Sequence, residues 1–286
     1  MEPVRTLARR FWNVVEPIHA AVYFEEEPRT AARDLGLKGF WMGYFAGRMA
    51  PLGPVGPDAV VAMTFGFAPW MVRRAIPDAW HLASPETILA SRLDGSRAAL
   101  ARLLSERWGR EVTTLDEQLW AVIDVCHFDG RPLSAAWHGV ERPDDPLASL
   151  WLACTVLREH RGDGHVLAAV ALGLQGIDAT TTHIATGAIT RELMMTSRGF
   201  TEDEMDASVA RLQARGLLDR DGRLTKTGGA LRRDLEATTD RLAAAPVERL
   251  GETGTDKLLD LATPIARHLY DEGAFPQPNP IGLPRP

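Results

Sequence analysis

The segment that decides the fold runs from Ala214 to Leu231 and reads ARGLLDRDGRLTKTGGAL. Two short apolar stretches in it flank Asp221-Gly222, and an Asp-Gly pair in such a setting is a strong signal for a tight hairpin turn. Amphipathic helical patterns precede and follow the segment. The pattern therefore predicts a helix, a short strand, a turn, a second short strand and a new helix.

The helix before this segment begins with a capping signal. Thr201 is followed three residues later by Glu204, the spacing at which each side chain can bond the backbone N–H of the other residue. A related start occurs at Ser84-Pro85-Glu86, where a cap residue precedes a proline and an acidic first turn. Over about residues 166–245, this succession of helices and hairpin resembles the winged helix of MarR-type proteins. The resemblance implies a small β-hairpin wing and a helix placed to read DNA.

The charges on this unit oppose DNA binding. Four carboxylates lie between Glu202 and Asp206, in the part of a recognition helix that meets the DNA, and carboxylates repel phosphates. The cations of the expected wing are the candidate DNA-binding residues of the alternative interpretation, and they are Arg220, Arg223 and Lys226.

The composition is that of an ordinary globular protein. Of the 286 residues, 45% are hydrophobic and 24% are charged, and the net charge of -6 gives no general attraction to nucleic acid. The two cysteines, Cys126 and Cys154, are far apart, which excludes a disulfide framework and a cysteine-rich zinc site. We expect no signal peptide, because the N-terminal segment has no uninterrupted apolar region, and no membrane span, because no apolar run approaches about 18 residues. We therefore expect a cytoplasmic protein with no membrane partner.

The helical periodicities predict a mainly α fold, because no long alternating run of β-branched residues occurs. The segment from Arg142 to Pro146, RPDDP, is the best candidate for a domain boundary. We expect an N-terminal helical domain over residues 1–145, a winged-helix domain over residues 146–251, and a C-terminal helix with a proline-rich tail over residues 252–286.

Several phrases along the chain resemble one known family. They are RRFWNVVEPIHAAVYF (9–24), GFWMGYFAGRMAPLGPV (39–55), FGFAPWMVRRAIPDAW (65–80), LREHRGDGHVLA (157–168) and ATTDRLAAAPVERLG (237–251). From Phe11 to about Gly251 the chain resembles the actinobacterial SalK-like helix-turn-helix family. The resemblance implies an α-helical protein that ends in a winged helix and occurs in specialised metabolism. It supplies neither a reaction nor catalytic residues.

A dense polar run, REHRGDGH from Arg158 to His165, separates two apolar helical stretches. Its two glycines predict that the chain turns a corner here. His160, Asp163 and His165 are the candidate catalytic residues, because two histidines and a carboxylate can form a general acid/base set. Their spacing lacks the i, i+4 geometry of a helical zinc pair, so we predict neither a metal nor a cofactor. The structural alternative is that Asp163 caps the next helix while the two arginines tie the domains together.

Aromatic and charged side chains share one face of two other helical stretches. Trp41, Tyr44 and Arg48 follow at i, i+3 and i+7, and a second set with Trp12 follows at i, i+4 and i+7. We expect these faces to line a cavity in which a guanidinium holds an anion. The candidate ligand-binding residues are Trp12, Glu16, His19, Trp41, Tyr44, Arg48, Arg158 and His183. The plain alternatives are an internal salt bridge of Arg48, for instance with Glu16 or Glu159, and, for the face that contains Trp12, a partly exposed edge of the helix. Pro17 is also expected to interrupt this first face.

These patterns favour a protein that binds a small aromatic or polyketide-like molecule, with catalysis left open. The anionic or oxygenated character of the ligand follows from the arginine among aromatic residues. The alternative is a ligand-responsive transcription regulator of the MarR type, with DNA as its partner. A homodimer through helices that begin near Leu231 and Thr255 follows only by analogy with such regulators.

Overall fold

A 26-residue helix, α10 (Pro146–Ala171), runs through the middle of the molecule. Pro146 occupies its first turn, and the Asp145 carboxylate caps it by accepting the backbone N–H groups of Leu147 and Ala148, both at 3.0 Å. Most side chains of α10 are buried because other helices pack on every side of it. The architecture is therefore built around one central helix.

The computed structural model describes residues 2–276, 279, 281–282 and 285–286. Besides α10, the helices are α1 (Glu2–Phe24), α2 (Glu26–Asp34), α3 (Gly39–Met49), α4 (Pro57–Thr64), α5 (Pro69–Arg73), α6 (Asp78–Leu82), α7 (Pro85–Leu104), α8 (Gly109–Ile123), α9 (Pro132–His138), α11 (Gly176–Ile184), α12 (Arg191–Arg198), α13 (Glu202–Ala214), α14 (Lys226–Leu242) and α15 (Ala245–Asp271). The last of these bends at Gly251, whose φ is +66°. None of the helices described is long and apolar enough to cross a membrane.

The main apolar core lies around the first half of α10. Helices α1, α7 and α8 pack against α10, α15 packs against α1 and α8, and α9 covers one side of α10. Trp137 and Trp151 are fully buried at the centre of this core, and their rings meet edge to face at a centroid distance of 5.7 Å. The second half of α10 packs against α14 and a smaller apolar cluster that contains Leu212 and Leu235.

Helices α12 and α13 form the helix-turn-helix. Helix α12 ends at Gly199, which has the left-handed φ of +77°, and Thr201 then caps α13. The predicted capping box of Thr201 and Glu204 is confirmed, as is the cap that Ser84 provides for α7. Local capping signals were therefore sufficient to place these helix starts.

The prediction of a β-hairpin wing is wrong, and the fold is all-α over the described residues. The segment between α13 and α14 contains only an isolated antiparallel bridge between Leu218 and Leu224. Asp219 closes the loop with its own carboxylate, which accepts the backbone N–H groups of Asp221 and Arg223 at 2.9 Å. Thr225 then caps α14 at once, so the chain is too short here for a second pair of ladder bonds.

The prediction that the polar run breaks the helix is also wrong. Helix α10 continues through Gly162 and Gly164, and Asp163 lies inside it rather than capping a new helix. Gly164 serves close approach instead of a turn. A Cβ on Gly164 would lie 2.8 Å from Nη1 of Arg131 and 3.2 Å from Cβ of Leu242, whereas Gly162 lines a cavity.

Candidate ligand-binding site

The second half of α10 forms one wall of a cavity of about 840 Å³. Helices α1 and α3 extend this wall, and α11, α12 and α14 face it from the other side. The loop after α4 closes one end with Phe65, Gly66 and Phe67. The cavity therefore lies between the N-terminal helices and the helix-turn-helix.

The wall of this central cavity is rich in positive charge. Its cationic lining residues are Arg9, Arg48, Arg158, Arg161, Arg198 and Arg232. Among the described residues that line the cavity, two carry a carboxylate, Glu16 and Glu236. Two further carboxylates, on Glu159 and Asp240, pair with these arginines from behind the wall.

Glu159 is the fully buried centre of the first charge cluster. Arg48 grips it with two parallel hydrogen bonds, from Nε to Oε1 and from Nη2 to Oε2, both 2.8 Å long. Arg158 donates to the same Oε1 at 2.9 Å. Burial alone would raise the pKa of Glu159, but the two guanidinium charges outweigh it and lower that pKa. Glu159 is thus held as an anion between two cations.

Arg158 keeps part of its hydrogen-bonding capacity for the cavity. Its Nη1 is bound to Glu159, while its Nε lies 3.6 Å from Oε1 of Glu16, beyond ordinary hydrogen-bond length. The Glu16 carboxylate instead accepts the indole N–H of Trp12 at 3.1 Å. A guanidinium has five N–H donors, so Arg158 can still bind a ligand oxygen.

A second charge cluster joins three helices beside the cavity. Arg9 of α1 and Arg161 of α10 bind Asp240 of α14 at 3.1 Å and 3.0 Å. Glu236 on the same helix receives Arg232 at 2.8 Å. Burial would raise the pKa of Glu236, but bonds from Arg9 and the nearby cations lower it to about 2. Three guanidinium groups surround two carboxylates here, which leaves one positive charge uncompensated.

Aromatic faces lie beneath the guanidinium groups. The Arg161 guanidinium stands 5.0 Å from the ring centroid of Trp12, and that of Arg198 stands 4.4 Å from the ring of Phe67. Tyr44 accepts a hydrogen bond from Arg48 Nη1 at 3.1 Å, which leaves its hydroxyl hydrogen available. The cavity therefore combines flat apolar surfaces with cations, as a planar anion requires.

Most of the predicted ligand-binding residues meet in this cavity. Those that line it are Trp12, Glu16, Tyr44, Arg48, Arg158 and His183, together with His165 from the catalytic set. Helix α1 continues through Pro17, so the face that Pro17 was expected to interrupt is intact. Arg48 forms the internal salt bridge that was the alternative for it, and it contributes to the wall at the same time.

His19 and Trp41 lie elsewhere. His19 is fully buried under the cavity, between the hydroxyl groups of Thr155 at 2.8 Å and Tyr23 at 2.7 Å. Burial and neighbouring arginines lower its pKa well below the usual value, so it is neutral. Trp41 lines a separate groove next to Phe40 and Trp70.

The three predicted catalytic residues point in different directions along α10. His160 binds the backbone carbonyl of His127 through Nε2 at 3.1 Å, and Asp163 accepts the N–H of Ser134 at 3.0 Å. His165 alone lines the central cavity, with Nδ1 at 3.1 Å from the hydroxyl of Thr239. The structure therefore does not bring the three into one acid/base set, and their catalytic role remains a prediction.

Sequence reasoning missed several cationic residues of the wall, namely Arg9, Arg198 and Arg232. The sequence did contain a signal for the part of this wall that α10 provides. On an unbroken helix, Arg158, Arg161 and His165 stand at i, i+3 and i+7 and share a face. The expectation of a corner at the glycines concealed this face.

The surface of the helix-turn-helix is acidic where α13 begins. The exposed carboxylates of Glu202 and Asp206 are bound by Arg191 of α12 at 2.5 Å and 2.6 Å. The three candidate DNA-binding cations, Arg220, Arg223 and Lys226, are exposed on the loop and at the start of α14. One of them, Arg223, pairs with Asp221 at 3.2 Å.

Comparison with known protein families identifies the family to which this chain belongs. A model of a helix-turn-helix family matches residues 8–276, nearly the whole chain, and the protein belongs to that helix-turn-helix family. Neither the comparison with curated proteins nor that with solved structures gave a match.

Proposed function

We propose that this protein binds a small organic anion with a planar, aromatic body in the central cavity. The observation that carries the proposal is the charge of the wall, where six arginines and two glutamates line about 840 Å³. The chain as a whole has a net charge of -6. The positive charge is therefore concentrated locally, in a cavity whose size is usual for small-molecule sites.

The excess of cations persists when the carboxylates behind the wall are included. Arg9, Arg48, Arg158, Arg161 and Arg232 then face Glu16, Glu159, Glu236 and Asp240, five cations against four carboxylates. Burying a charge without a partner is costly, and a ligand anion removes that cost. A carboxylate, sulfonate or phosphate group bound by Arg158 fits the donors that remain there.

The aromatic faces favour a planar body for this ligand. Trp12 and Phe67 present rings next to guanidinium groups, and Tyr44 offers a hydroxyl donor. Oxygenated aromatic acids, including polyketide-like molecules of specialised metabolism, combine these properties. The link to specialised metabolism depends on the sequence resemblance alone.

The position of the cavity between the helix-turn-helix and the N-terminal helices supports the proposal that ligand binding changes the arrangement of the helix-turn-helix. Arg198 belongs to α12 of the helix-turn-helix, while Trp12 and Arg158 belong to α1 and α10. A ligand that touches both sides favours one arrangement of the helix-turn-helix over others, by its differential affinity. We propose that the protein is a small-molecule sensor of this kind.

A thermal-shift series tests the class of ligand. The probes are 1-naphthyl phosphate, 1-naphthoate and the neutral 1-naphthol, each at a concentration well above its expected dissociation constant. A bound ligand stabilises the folded state, so we expect both anions to raise the melting temperature by about 5 °C and naphthol to raise it much less. Equal shifts from naphthol and the anions would contradict the proposal.

A second candidate function is DNA recognition by α12 and α13. Membership of the helix-turn-helix family favours it, whereas the carboxylates at the start of α13 oppose it. A gel-shift titration with the DNA upstream of the gene, at 50 mM and 200 mM salt, distinguishes the two. Specific binding that is lost when Arg220, Arg223 and Lys226 are all replaced by alanine would favour DNA recognition.

A further inference from the structure

Arg92 of α7 is a buried cation that does not line the central cavity, so the ligand binding proposed there does not use it. It is 9% exposed, and its Nε and Nη2 have no hydrogen-bond partner. Its guanidinium lies over the rings of Tyr23 and Trp151, at 5.8 Å and 5.6 Å, and Glu159 attracts it without forming a hydrogen bond. Ring faces compensate a buried guanidinium only in part, so a partner for Arg92 is missing.

Arg92 lines a second cavity, of about 350 Å³, between α2, α3 and α7. The apolar and aromatic part of its lining is Val22, Tyr23, Pro28, Ala32, Leu35, Leu37, Phe40, Tyr44 and Ile88. Two other cations line it, Arg29 and Arg33, and none of the lining residues that the structure describes carries a carboxylate. Arg33 is paired with Glu26 at the surface, and Arg29 is bound to the backbone carbonyl of Tyr23 at 3.1 Å. Arg92 is thus the cation of this cavity that has no polar partner.

A glycine on α3 makes room for the guanidinium. A Cβ on Gly47 would lie 3.0 Å from both Cδ and Nη1 of Arg92. Gly47 has ordinary helical backbone angles, so neither a turn nor a positive φ requires glycine at this position. The absence of a side chain there serves the position of Arg92.

The hydroxyl groups of Thr155 and Tyr23 cannot donate to a ligand, because both belong to one chain of hydrogen bonds through His19. Thr155 donates its hydroxyl hydrogen to the carbonyl of Trp151 at 2.8 Å, so it accepts from Nδ1–H of His19. The other ring nitrogen of His19 then accepts the hydroxyl hydrogen of Tyr23 at 2.7 Å. Burial raises the pKa of Tyr23 to about 12, which keeps that hydrogen in place. Besides the hydroxyl groups of Tyr44 and Ser91, which also line the cavity, the donors left for a ligand are those of Arg92, and a charged acceptor suits them best.

We propose that this cavity is a second ligand site, which takes a small hydrophobic monocarboxylic acid with its carboxylate on Arg92. The apolar walls hold the body of the acid, and its single negative charge matches the single unpartnered cation. The site is separate from the central cavity, with Tyr44 in the wall between the two.

Calorimetric titration of the full chain with 3-phenylpropionate tests the site, with 3-phenylpropionamide as the neutral probe. We expect saturable binding of the acid, and binding of the amide at least tenfold weaker. Arg92→Met and Gly47→Ala should each weaken binding of the acid at least tenfold, because one removes the cation and the other displaces it. Arg220→Met, which removes a charge from an exposed position outside both cavities, should leave the affinity within twofold of native.

Gly47→Ala is the second variant in case Arg92→Met does not fold. It should remain folded, since alanine favours a helix more than glycine does. Unchanged affinity in both variants would overturn the site. So would loss of binding in a third variant, Arg158→Met, but not in these two, which would place the probe in the central cavity. A lowered melting temperature of Arg92→Met together with native affinity would assign Arg92 a purely structural role and overturn the site as well.

Discussion

At the scale of single residues, Glu159 holds the middle of the molecule together. It is fully buried and binds two arginines that come from α3 and α10. A buried pair adds little net stability compared with apolar residues, but removing one partner leaves an uncompensated charge. The charge of Glu159 is therefore a condition for burying Arg48 and Arg158.

Replacing Glu159 by glutamine tests this dependence. Glu159→Gln keeps the shape but leaves two cations with no anion, and we expect it to lower the free energy of unfolding by about 3–5 kcal/mol. The matched control, Glu117→Gln at an exposed position of α8, should change it by less than about 0.5 kcal/mol. Urea unfolding followed by circular dichroism measures both, and a loss below about 1 kcal/mol in Glu159→Gln would contradict the account.

His160 makes stability depend on pH. Burial and the charge of Arg131 lower its pKa from 6.5 to about 4, so the unfolded chain takes up a proton at a higher pH than the folded protein. The stabilisation by neutral His160 is complete above about pH 6.5 and is lost as the pH falls toward 4, by up to about 3 kcal/mol.

We therefore expect His160→Gln to reduce the loss of stability between pH 7.5 and pH 4.5. Glutamine can still donate a hydrogen bond to the carbonyl of His127 but does not titrate. Urea unfolding across this range compares the variant with native protein and with His81→Gln, which changes an exposed histidine. A native pH dependence in His160→Gln would show that His160 does not cause the loss.

At the scale of elements, capping signals were predictable and turns within the chain were not. The starts of α7 and α13 follow from Ser84 and Thr201 because a cap is satisfied by residues three positions away. The predicted hairpin at Asp221 did not form because Asp219 closes the loop and Thr225 caps α14 at once. The predicted corner at Gly162 did not form because contacts of α10 with distant residues outweigh the local signal. Gly164 lies within the helix, and the lack of a side chain there lets α10 lie close to Arg131 and Leu242. No local sequence pattern encodes this contact.

Two glycine-to-alanine substitutions test whether Gly164 serves this close approach. Alanine in a helix is ordinarily more stable than glycine by up to about 1 kcal/mol, and Gly229→Ala in α14, with only the flexible Arg233 nearby at 3.5 Å, should follow this rule. Gly164→Ala should instead destabilise the protein by about 1–3 kcal/mol through overpacking. Chemical unfolding of both variants provides the comparison, and equal stabilisation would show that the contact does not matter.

At the scale of the whole molecule, the cavity results from segments far apart in the chain. Arg48 and Glu159 are separated by 111 positions, and Arg9 and Asp240 by 231. Helical periodicity predicted which side chains share a face on α1 and α3, and Trp12 and Glu16 do meet Tyr44 and Arg48 at the cavity. His19 and Trp41, which were expected on the same faces, lie elsewhere. Periodicity gave no account of the charges that α12 and α14 add, because their approach depends on how the helices pack. The domain boundaries and a homodimer remain predictions.

The uneven distribution of charge is the property of the whole molecule that the proposed function uses. The outer face of α13 carries carboxylates at its start, while the arginines gather around the cavity. Anions are thus attracted to the inside of a protein whose net charge is -6. The arginine with spare donors, Arg158, is where this attraction should be strongest.

Calorimetric titration with 1-naphthyl phosphate tests this central claim most directly. Native protein, Arg158→Met and the control Arg220→Met, which removes an equal charge from an exposed position, are compared at one ionic strength. We predict saturable binding to native protein and to Arg220→Met with equal affinity, and binding at least tenfold weaker to Arg158→Met. Equal affinity in all three proteins, or no saturable binding to the native one, would contradict the account.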